Sequence, residues 1–345
     1  MLKHATAHIH KRCGTFDQKS MKHKITLLLF LFLSLTLYSQ IDSTKVAFVA
    51  YWSIGDDYNF KVSKVKREWK NDVQTKKDSS QYIANFKVLD STDKSYKIQW
   101  TYKNNIVSTF QEKAEKIFED KEVVNQILKK NDLSKVIYKT NELGEFIEIL
   151  NWKELGESTK LLLKEMLNSF EKKNPEKVNE LRNALNPIIE IYSSKQGIEQ
   201  LAISELQYFH FPFGMEYDIT TPIKYEQELP NVLGGKPILA DATLTFEEVD
   251  FENSFCSLKE ETVINPNDTK RVVKELFKKM KIDETKTKDT IDNAIFDITD
   301  LNYYQYYYNP GVPHYIYGGR KFILKMEKTD IEKIEELYIE LIYDE

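Results

Sequence analysis

Histidine and cysteine most often supply a catalytic base or nucleophile, and this chain contains few of either. Outside residues 1–40, only His210, His314 and Cys256 occur. Neither histidine accompanies a Gly-x-Ser-x-Gly motif, which would place a serine nucleophile on a sharp turn. Cys256 falls within a predicted strand, Asn253–Leu258, where a buried and inert thiol is expected. The sequence therefore predicts no catalytic residue, although enzymatic activity is left open.

Paired carboxylates are the other common catalytic arrangement, because one can act as acid and the other as base or nucleophile in glycoside hydrolysis. The adjacent pairs in this sequence are Asp56 with Asp57, Glu247 with Glu248, and Glu260 with Glu261. Adjacent residues of a strand point to opposite faces, so such pairs do not converge on one substrate. A hydrolase of cell-envelope or polysaccharide substrates is kept as an alternative.

No motif for a metal or cofactor is recognised. Zinc requires three or four clustered ligands, and the two histidines and one cysteine are far apart in sequence. Leu233–Pro237 contains two glycines but has proline where a phosphate-binding loop requires serine or threonine. Asp90 and Asp93 lack the glycine and the distal glutamate of a calcium loop and are typical of a turn. We expect neither a metal nor a cofactor.

Tyrosines form the most distinctive local pattern. They precede and follow a predicted turn at Asn309-Pro310-Gly311, and alternation puts every second one on the same face of a strand. An exposed row could stack on sugars or line an apolar pocket, whereas a buried row would only stabilise the hairpin. The candidate ligand-binding residues are Tyr304, Tyr306, Tyr308, Tyr315 and Tyr317.

Apolar residues recur with a period of two or of 3.6, which distinguishes strands from helices. Residues 70–80 are polar and predict a long connection between strands. In the first half, the predicted elements are strands at 47–52, 59–66, 82–89 and 96–102, a helix at 110–128, and a hairpin with strands at 136–140 and 145–149.

The middle of the chain, residues 153–206, predicts helices, with a kink or restart at Pro187 and a cap at Ser194. A second β unit is predicted to start at Gln207–Ile219, where aromatic residues alternate with others. The later predicted elements are a helix capped by Asn267 or Asp268, the hairpin at 309–311, a strand at 322–326 and a final strand after Glu335.

The two β units correspond at a nearly constant offset. Gly55 matches Gly214 at 159 residues, and Phe86 matches Phe246 at 160. Since any two meanders agree at some positions, ancestral duplication and chance similarity both stay open.

Residues 1–40 are expected to lie outside the folded body. A basic segment at Met21–Lys24, thirteen uncharged residues at Ile25–Leu37 and a polar exit ending at Gln40 form a secretory signal. The apolar run is shorter than the ~20 residues that span a bilayer, so cleavage near Gln40 is expected rather than a membrane anchor. Met21 is the expected start of translation, with residues 1–20 upstream of it.

Cleavage would change the charge balance. Residues 1–40 hold six of the 49 basic and one of the 54 acidic side chains, which leaves 43 against 53, a net charge of −10. Such a balance favours neither nucleic acid nor anionic lipid as a partner. Cys256 alone would remain, so no intrachain disulfide is expected.

Several segments resemble uncharacterised exported proteins of Gram-negative, Bacteroidota-type bacteria. The segments that carry this resemblance are Ser39-Gln40, Asn141–Trp152, Ser194–Leu201 and Tyr208–Gly214. Those proteins have no assigned activity, so the resemblance implies a compartment, periplasmic or extracellular, and no chemistry.

Together these patterns predict an α+β fold of antiparallel β meanders with packed helices, in which two pseudo-repeated lobes flank a helical middle. The predicted segments are 1–40 for the extension and signal, 41–152 and 207–345 for the lobes, and 153–206 for the middle. The leading functional hypothesis is an exported, soluble, non-enzymatic protein that binds an apolar ligand between a curved sheet and its covering helix, or an envelope protein. A structural envelope subunit is a further alternative.

Overall fold

One antiparallel sheet of eleven strands dominates the computed structural model, which describes residues 44–103, 134–173, 175–199, 205–282 and 284–343. The strands are β1 (Lys45–Ala47), β2 (Asp57–Lys70), β3 (Val73–Thr92), β4 (Ser95–Lys103), β5 (Lys135–Asn141), β6 (Phe146–Ile149), β7 (Glu216–Asp218), β8 (Ile223–Leu229), β9 (Ile238–Asp250), β10 (Phe255–Ile264), β11 (Ile295–Tyr307), β12 (Val312–Met326) and β13 (Thr329–Ile342). The helices are α1 (Trp152–Lys173), α2 (Val178–Ser193), α3 (Lys195–Gly197), α4 (Glu205–His210), α5 (Pro266–Lys279) and α6 (Glu284–Asn293), with a 3-10 turn at Pro175–Lys177.

The strands lie in the order β6-β5-β4-β3-β2-β13-β12-β11-β10-β9-β8, and β1 pairs separately with β7. The two halves of the chain join where β2 pairs with β13, from Asn59 opposite Ile342 to Lys70 opposite Ile331. The α+β class, dominated by antiparallel sheet, is therefore confirmed. The predicted lobes contribute to a single sheet, and an ancestral duplication stays a prediction.

Alternation along each strand gives the sheet an apolar inner face and a polar outer face. On β2, Phe60 and Val62 point inward and are fully buried, whereas Lys61 points outward and pairs with Glu340 of β13. Burial of the inner aromatic and aliphatic side chains is the main source of stability. The largest buried inner-face residues include Phe60, Phe86, Ile98, Trp100, Tyr138, Tyr304 and Tyr306.

The sheet bends around helix α4. Tyr138 of β5 hydrogen-bonds His210, while the Tyr306 hydroxyl of β11 donates to the carbonyl oxygen of Phe209. Strands β5 and β11 are six positions apart, or about 29 Å along a flat sheet with strands about 4.8 Å apart. Two tyrosines cannot reach adjacent residues over that distance. The inner face must therefore curl around α4.

An irregular segment, residues 48–56, closes one end of the curved sheet. Its backbone nitrogens at Ala50 and Tyr51 donate to Leu143 and Pro310, which lie in the hairpin turns of the two halves. The Trp52 indole donates to the carbonyl oxygen of Gly311 at 2.9 Å. These hydrogen bonds satisfy a non-strand backbone that would otherwise be buried without partners. Of the strand predicted at 47–52, only Ala47 is in β1.

The prediction of a strand at Gln207 was wrong, because residues 205–210 form helix α4. Phe209 of this helix packs in the core at ring distances of 5.3 Å from Phe60 and from Phe86. An aromatic run has high strand propensity, but packing inside a curved sheet overrides local preference. Only residues 216–218 of the predicted segment form a strand.

The long connection predicted at residues 70–80 was also wrong. Strands β2 and β3 continue to a two-residue turn at Asn71-Asp72, where φ is +48° and +63°. Positive φ at both positions is the geometry of a tight hairpin, and Asn and Asp tolerate it better than most residues. The neighbouring polar side chains are compatible with a strand because they remain largely exposed.

Other predictions have mixed outcomes. Helices α1, α2 and α3 occupy the described part of the predicted helical middle up to residue 197, Ser194 caps α3, and the 141–144 and 309–311 turns are confirmed. Helix α2 runs through Pro187 without a restart. The cap of α5 is Asn265, two residues before the predicted Asn267 and three before the predicted Asp268. The final strand begins at Thr329. The predicted helix at 110–128 lies outside the described residues.

Candidate functional site

The inward tyrosines of β11 are core residues. Tyr304 and Tyr306 are 1% and 0% exposed, so the row is buried at these two positions. Tyr304 stacks on Phe211, with the ring centres 4.9 Å apart. Tyr308 is partly buried and lies 6.3 Å from the ring of Phe48. These contacts favour the hairpin-stabilising interpretation for this face.

Tyr315 and Tyr317 lie on the outer face and remain partly exposed. Tyr317 is the middle ring of a row that crosses three strands, 6.0 Å from Tyr303 and 5.2 Å from Tyr338. Cross-strand aromatic pairs of this kind stabilise a sheet. The sequence candidates are thus divided between two faces, and a ligand-binding role for Tyr315 and Tyr317 stays a prediction.

His210 is a buried structural residue of the aromatic core. Its Nδ1 lies 2.8 Å from the carbonyl oxygen of Gly144, and its Nε2 lies 2.9 Å from the Tyr138 hydroxyl. A carbonyl can only accept, so Nδ1 donates its proton and Nε2 accepts from Tyr138. Burial lowers the pKa of His210 to about 3. Cys256 is also fully buried, and burial raises the pKa of its thiol.

Glu205 is the anionic centre of a buried polar cluster where α4 meets β2, β3 and β4. One carboxylate oxygen accepts from Tyr82 at 3.0 Å and Tyr102 at 2.7 Å, and the other accepts from Lys64 at 3.0 Å. Burial alone would raise the pKa of Glu205, but Lys64 and the Tyr102 hydroxyl lower it below its ordinary value. This fully paired cluster fixes the start of α4 against the sheet.

A second buried carboxylate, Glu260 of β10, has only neutral partners. Its Oε1 accepts from Tyr225 at 2.7 Å and from Gln227 at 2.8 Å, and its Oε2 accepts from the Asn302 amide at 2.9 Å. Glu260 and Asn302 are 3% and 5% exposed. The Oδ1 atom of Asn302 is buried without a hydrogen-bond partner. An orphaned buried acceptor is costly, so this site is incomplete.

Within the described ranges, Glu260 has no basic side chain as a partner, unlike other carboxylates nearby. In the described part of the chain, no basic side chain forms an ion pair with Glu260, although its neighbour Glu261, on the outer face, pairs with Lys259. Two other carboxylates on the same inner face have basic partners: Asp300 pairs with Arg320, and Glu335 pairs with Lys66. Glu260 therefore differs from these carboxylates in having no basic partner among the described side chains.

Beside Glu260, the inner face reaches edge strand β8 through apolar side chains that are only half-buried. Ile223 of β8 is opposite Leu244, which is opposite Glu260, so Ile223 lies two strands, or about 10 Å, from the carboxylate position. We call this surface the apolar rim. Its residues are Tyr208, Phe211, Ile219, Ile223, Tyr225 and Phe246, all packed against the core but not fully covered.

Comparison with known proteins gives little. No family model matches the chain, and no curated protein matches it. A solved structure described as "lipid-protein interactions in lipovitellin" has a TM-score of 0.38 and 7% sequence identity, covering 84% of this chain and 25% of lipovitellin. The chain thus spans about a quarter of lipovitellin, and a similarity this low transfers no function.

Within the ranges that the structure describes, no group of three or more His, Cys, Asp or Glu side chains is arranged to hold a metal ion. The helices described, α1–α6, include none that is both long and apolar enough to cross a membrane.

The sequence interpretation missed Glu260 and Asn302 as site residues. A signal for Glu260 was present, because Cys256, Leu258, Glu260 and Thr262 alternate on β10 and all four are buried. A carboxylate in the apolar register of a strand is unusual and favours a specific role. Nothing local indicated that Asn302 would lie beside Glu260, since that depends on the pairing of β10 with β11.

Proposed function

We propose that this chain is a non-enzymatic binding protein that holds a small apolar ligand at the apolar rim. The carrying observation is that aromatic and aliphatic residues of α4, the loop after it, β8 and β9 pack against the core of the inner face and stay partly exposed. Phe211 and Phe246 are anchored on the core tyrosines Tyr304 and Tyr217, at 4.9 and 5.7 Å. Anchored aromatic side chains form a preorganised surface, which lowers the entropic cost of binding.

The compartment belongs to the same proposal. A basic start at Met21, an uncharged run and the polar exit at Gln40 support export to the periplasm or the exterior. In that setting the ligand would be an apolar molecule of the cell envelope. Sequencing the amino terminus of the exported protein tests this: a first residue at Ile41 supports it, and an intact uncharged run contradicts it.

A neutral apolar dye, Nile red, should bind saturably to the purified protein, and a charge in the apolar rim should weaken that binding. Ile223→Asp should reduce the affinity about tenfold or more, since desolvating a carboxylate beside the dye costs more than the 1.4 kcal/mol that a tenfold change represents. Fluorescence titration measures the dissociation constant, and circular dichroism checks the fold.

The matched control is Val263→Asp, which puts the same charge on an apolar residue of the outer face that is 53% exposed. This variant should bind Nile red like the original protein. Equal losses in both variants, or no saturable binding at all, would refute the rim as a ligand site. If Ile223→Asp fails to fold, Ile223→Ala should still lower the affinity measurably, because apolar contact area is lost.

A further inference from the structure

The buried polar atoms beside the apolar rim indicate which head group its ligand carries. Glu260 and Asn302 occupy opposed positions on β10 and β11, directly joined by one hydrogen bond. Each has an acceptor that the described side chains do not fill. Asn302 Oδ1 has no hydrogen-bond partner, and Glu260 Oε2 receives one donor although a carboxylate oxygen can accept two.

The rest of the cluster cannot supply what is missing. Tyr225 and Gln227 already donate to the other oxygen of Glu260, Oε1. Arg320, a basic residue on the adjoining row, makes a two-pronged contact with Asp300, with nitrogen–oxygen distances of 2.7 and 2.6 Å. A buried carboxylate without a counter-charge is strongly unfavourable, so the missing component is a donor that also carries positive charge.

Neighbouring aromatic side chains suit such a group. Tyr304 follows Asn302 on the same face of β11, and Tyr225 reaches Glu260 directly. The ring of Tyr208 lies on Gly318, the residue opposite Asn302, so closely that a Cβ there would be 2.6 Å from Tyr208 Cε1. Electron-rich ring faces attract cations, and aromatic side chains line many sites that bind ammonium groups.

We propose that Glu260 and Asn302 bind the ammonium group of an amphiphilic amine whose apolar part lies along the rim. The ammonium donates one hydrogen bond to Asn302 Oδ1 and one to Glu260 Oε2, and its charge balances that of Glu260. Ile223 and Phe246, within about two strand spacings of Glu260, contact the apolar part. This inference rests on the proposed function, because the rim must first bind an apolar chain.

Three amphiphiles with the same ten-carbon chain test the proposal: decylamine, decanol and decanoate. Each displaces Nile red from the purified protein at pH 7, below its micellar concentration. Decylamine should bind about tenfold or more tightly than the other two, a difference of 1.4 kcal/mol. Glu260→Gln, which keeps the size of the side chain, should reduce the affinity for decylamine to about that for decanol.

Glu335→Gln is the matched control, since Glu335 is on the same face but exposed and paired with Lys66. It should keep the preference for decylamine. Equal binding of all three amphiphiles would overturn the head-group assignment while leaving the apolar site intact. An equal loss of decylamine affinity in both variants would show a general charge effect and would also overturn the head-group assignment. Failure of every amphiphile to bind would refute the proposed function itself. The comparison within the unaltered protein decides the question even if Glu260→Gln does not fold.

Discussion

Phe209→Ala should lower the free energy of unfolding by about 3–5 kcal/mol, the range for truncating a buried phenylalanine. Phe209 is 1% exposed, and its ring lies 5.3 Å from Phe60, 5.3 Å from Phe86 and 5.5 Å from Trp100. The curved sheet encloses this side chain on three strands, so the cavity left by alanine has little room to collapse. Urea denaturation followed by tryptophan fluorescence measures the change.

Tyr51→Ala is the control for that experiment. Tyr51 is an aromatic residue of the irregular segment 48–56, but it is 59% exposed. We expect a cost below about 1 kcal/mol, as for most exposed positions. If Phe209→Ala cost no more than Tyr51→Ala, helix α4 would not be enclosed by the sheet. Phe209→Leu should give an intermediate loss and serves if the alanine variant is unfolded.

Acid should destabilise the protein through His210. Folding lowers the pKa of His210 from 6.5 to about 3, because burial disfavours the charged imidazole. Between these values the unfolded chain binds a proton that the folded protein does not, so stability falls as the pH falls. The stability that the neutral His210 contributes is fully present above pH 6.5. It is lower by about 2 kcal/mol at pH 5 and continues to fall towards pH 3. Urea midpoints measured from pH 7.5 to pH 5 give the slope.

His210→Gln removes the titrating group, so its stability should vary less with pH than that of the original protein over the same interval. Ile54→Ala, a change at a residue that is 62% exposed, removes no histidine and should keep the original slope. An independent readout is the ring-proton NMR signal of His210, assigned by its loss in His210→Gln. A signal that titrated near pH 6.5 would contradict the buried, neutral histidine.

Local sequence rules predict the parts of this fold in which one short-range signal dominates. Gly144 adopts φ +94° in its hairpin turn, where glycine has the lowest cost, and the turn follows from its residue types. The helical period predicts α1 and α2, and the alternation around Cys256 predicts a strand. Asn71-Asp72 carried a usable turn signal too, but the polar residues around it obscured the strands.

The remaining features depend on contacts between residues far apart in the chain. The run at Gln207 has an alternating aromatic pattern, but it forms a helix that packs inside the curved sheet. His210 reaches Tyr138 over 72 residues, and Glu260 reaches Asn302 over 42. Such pairings follow from strand order, which the sequence patterns did not specify. Export likewise stays a prediction from residues 1–40.

Photoaffinity labelling tests most directly whether the apolar rim binds a ligand. The purified protein is irradiated with a neutral alkyl probe that carries a diazirine, and the labelled peptides are identified by mass spectrometry with and without excess Nile red. We expect saturable, displaceable labelling in α4, the loop after it, β8 and β9, within residues 205–250. Labelling confined to the outer face or to residues 48–56, or labelling that Nile red does not displace, would contradict a ligand site on the inner face.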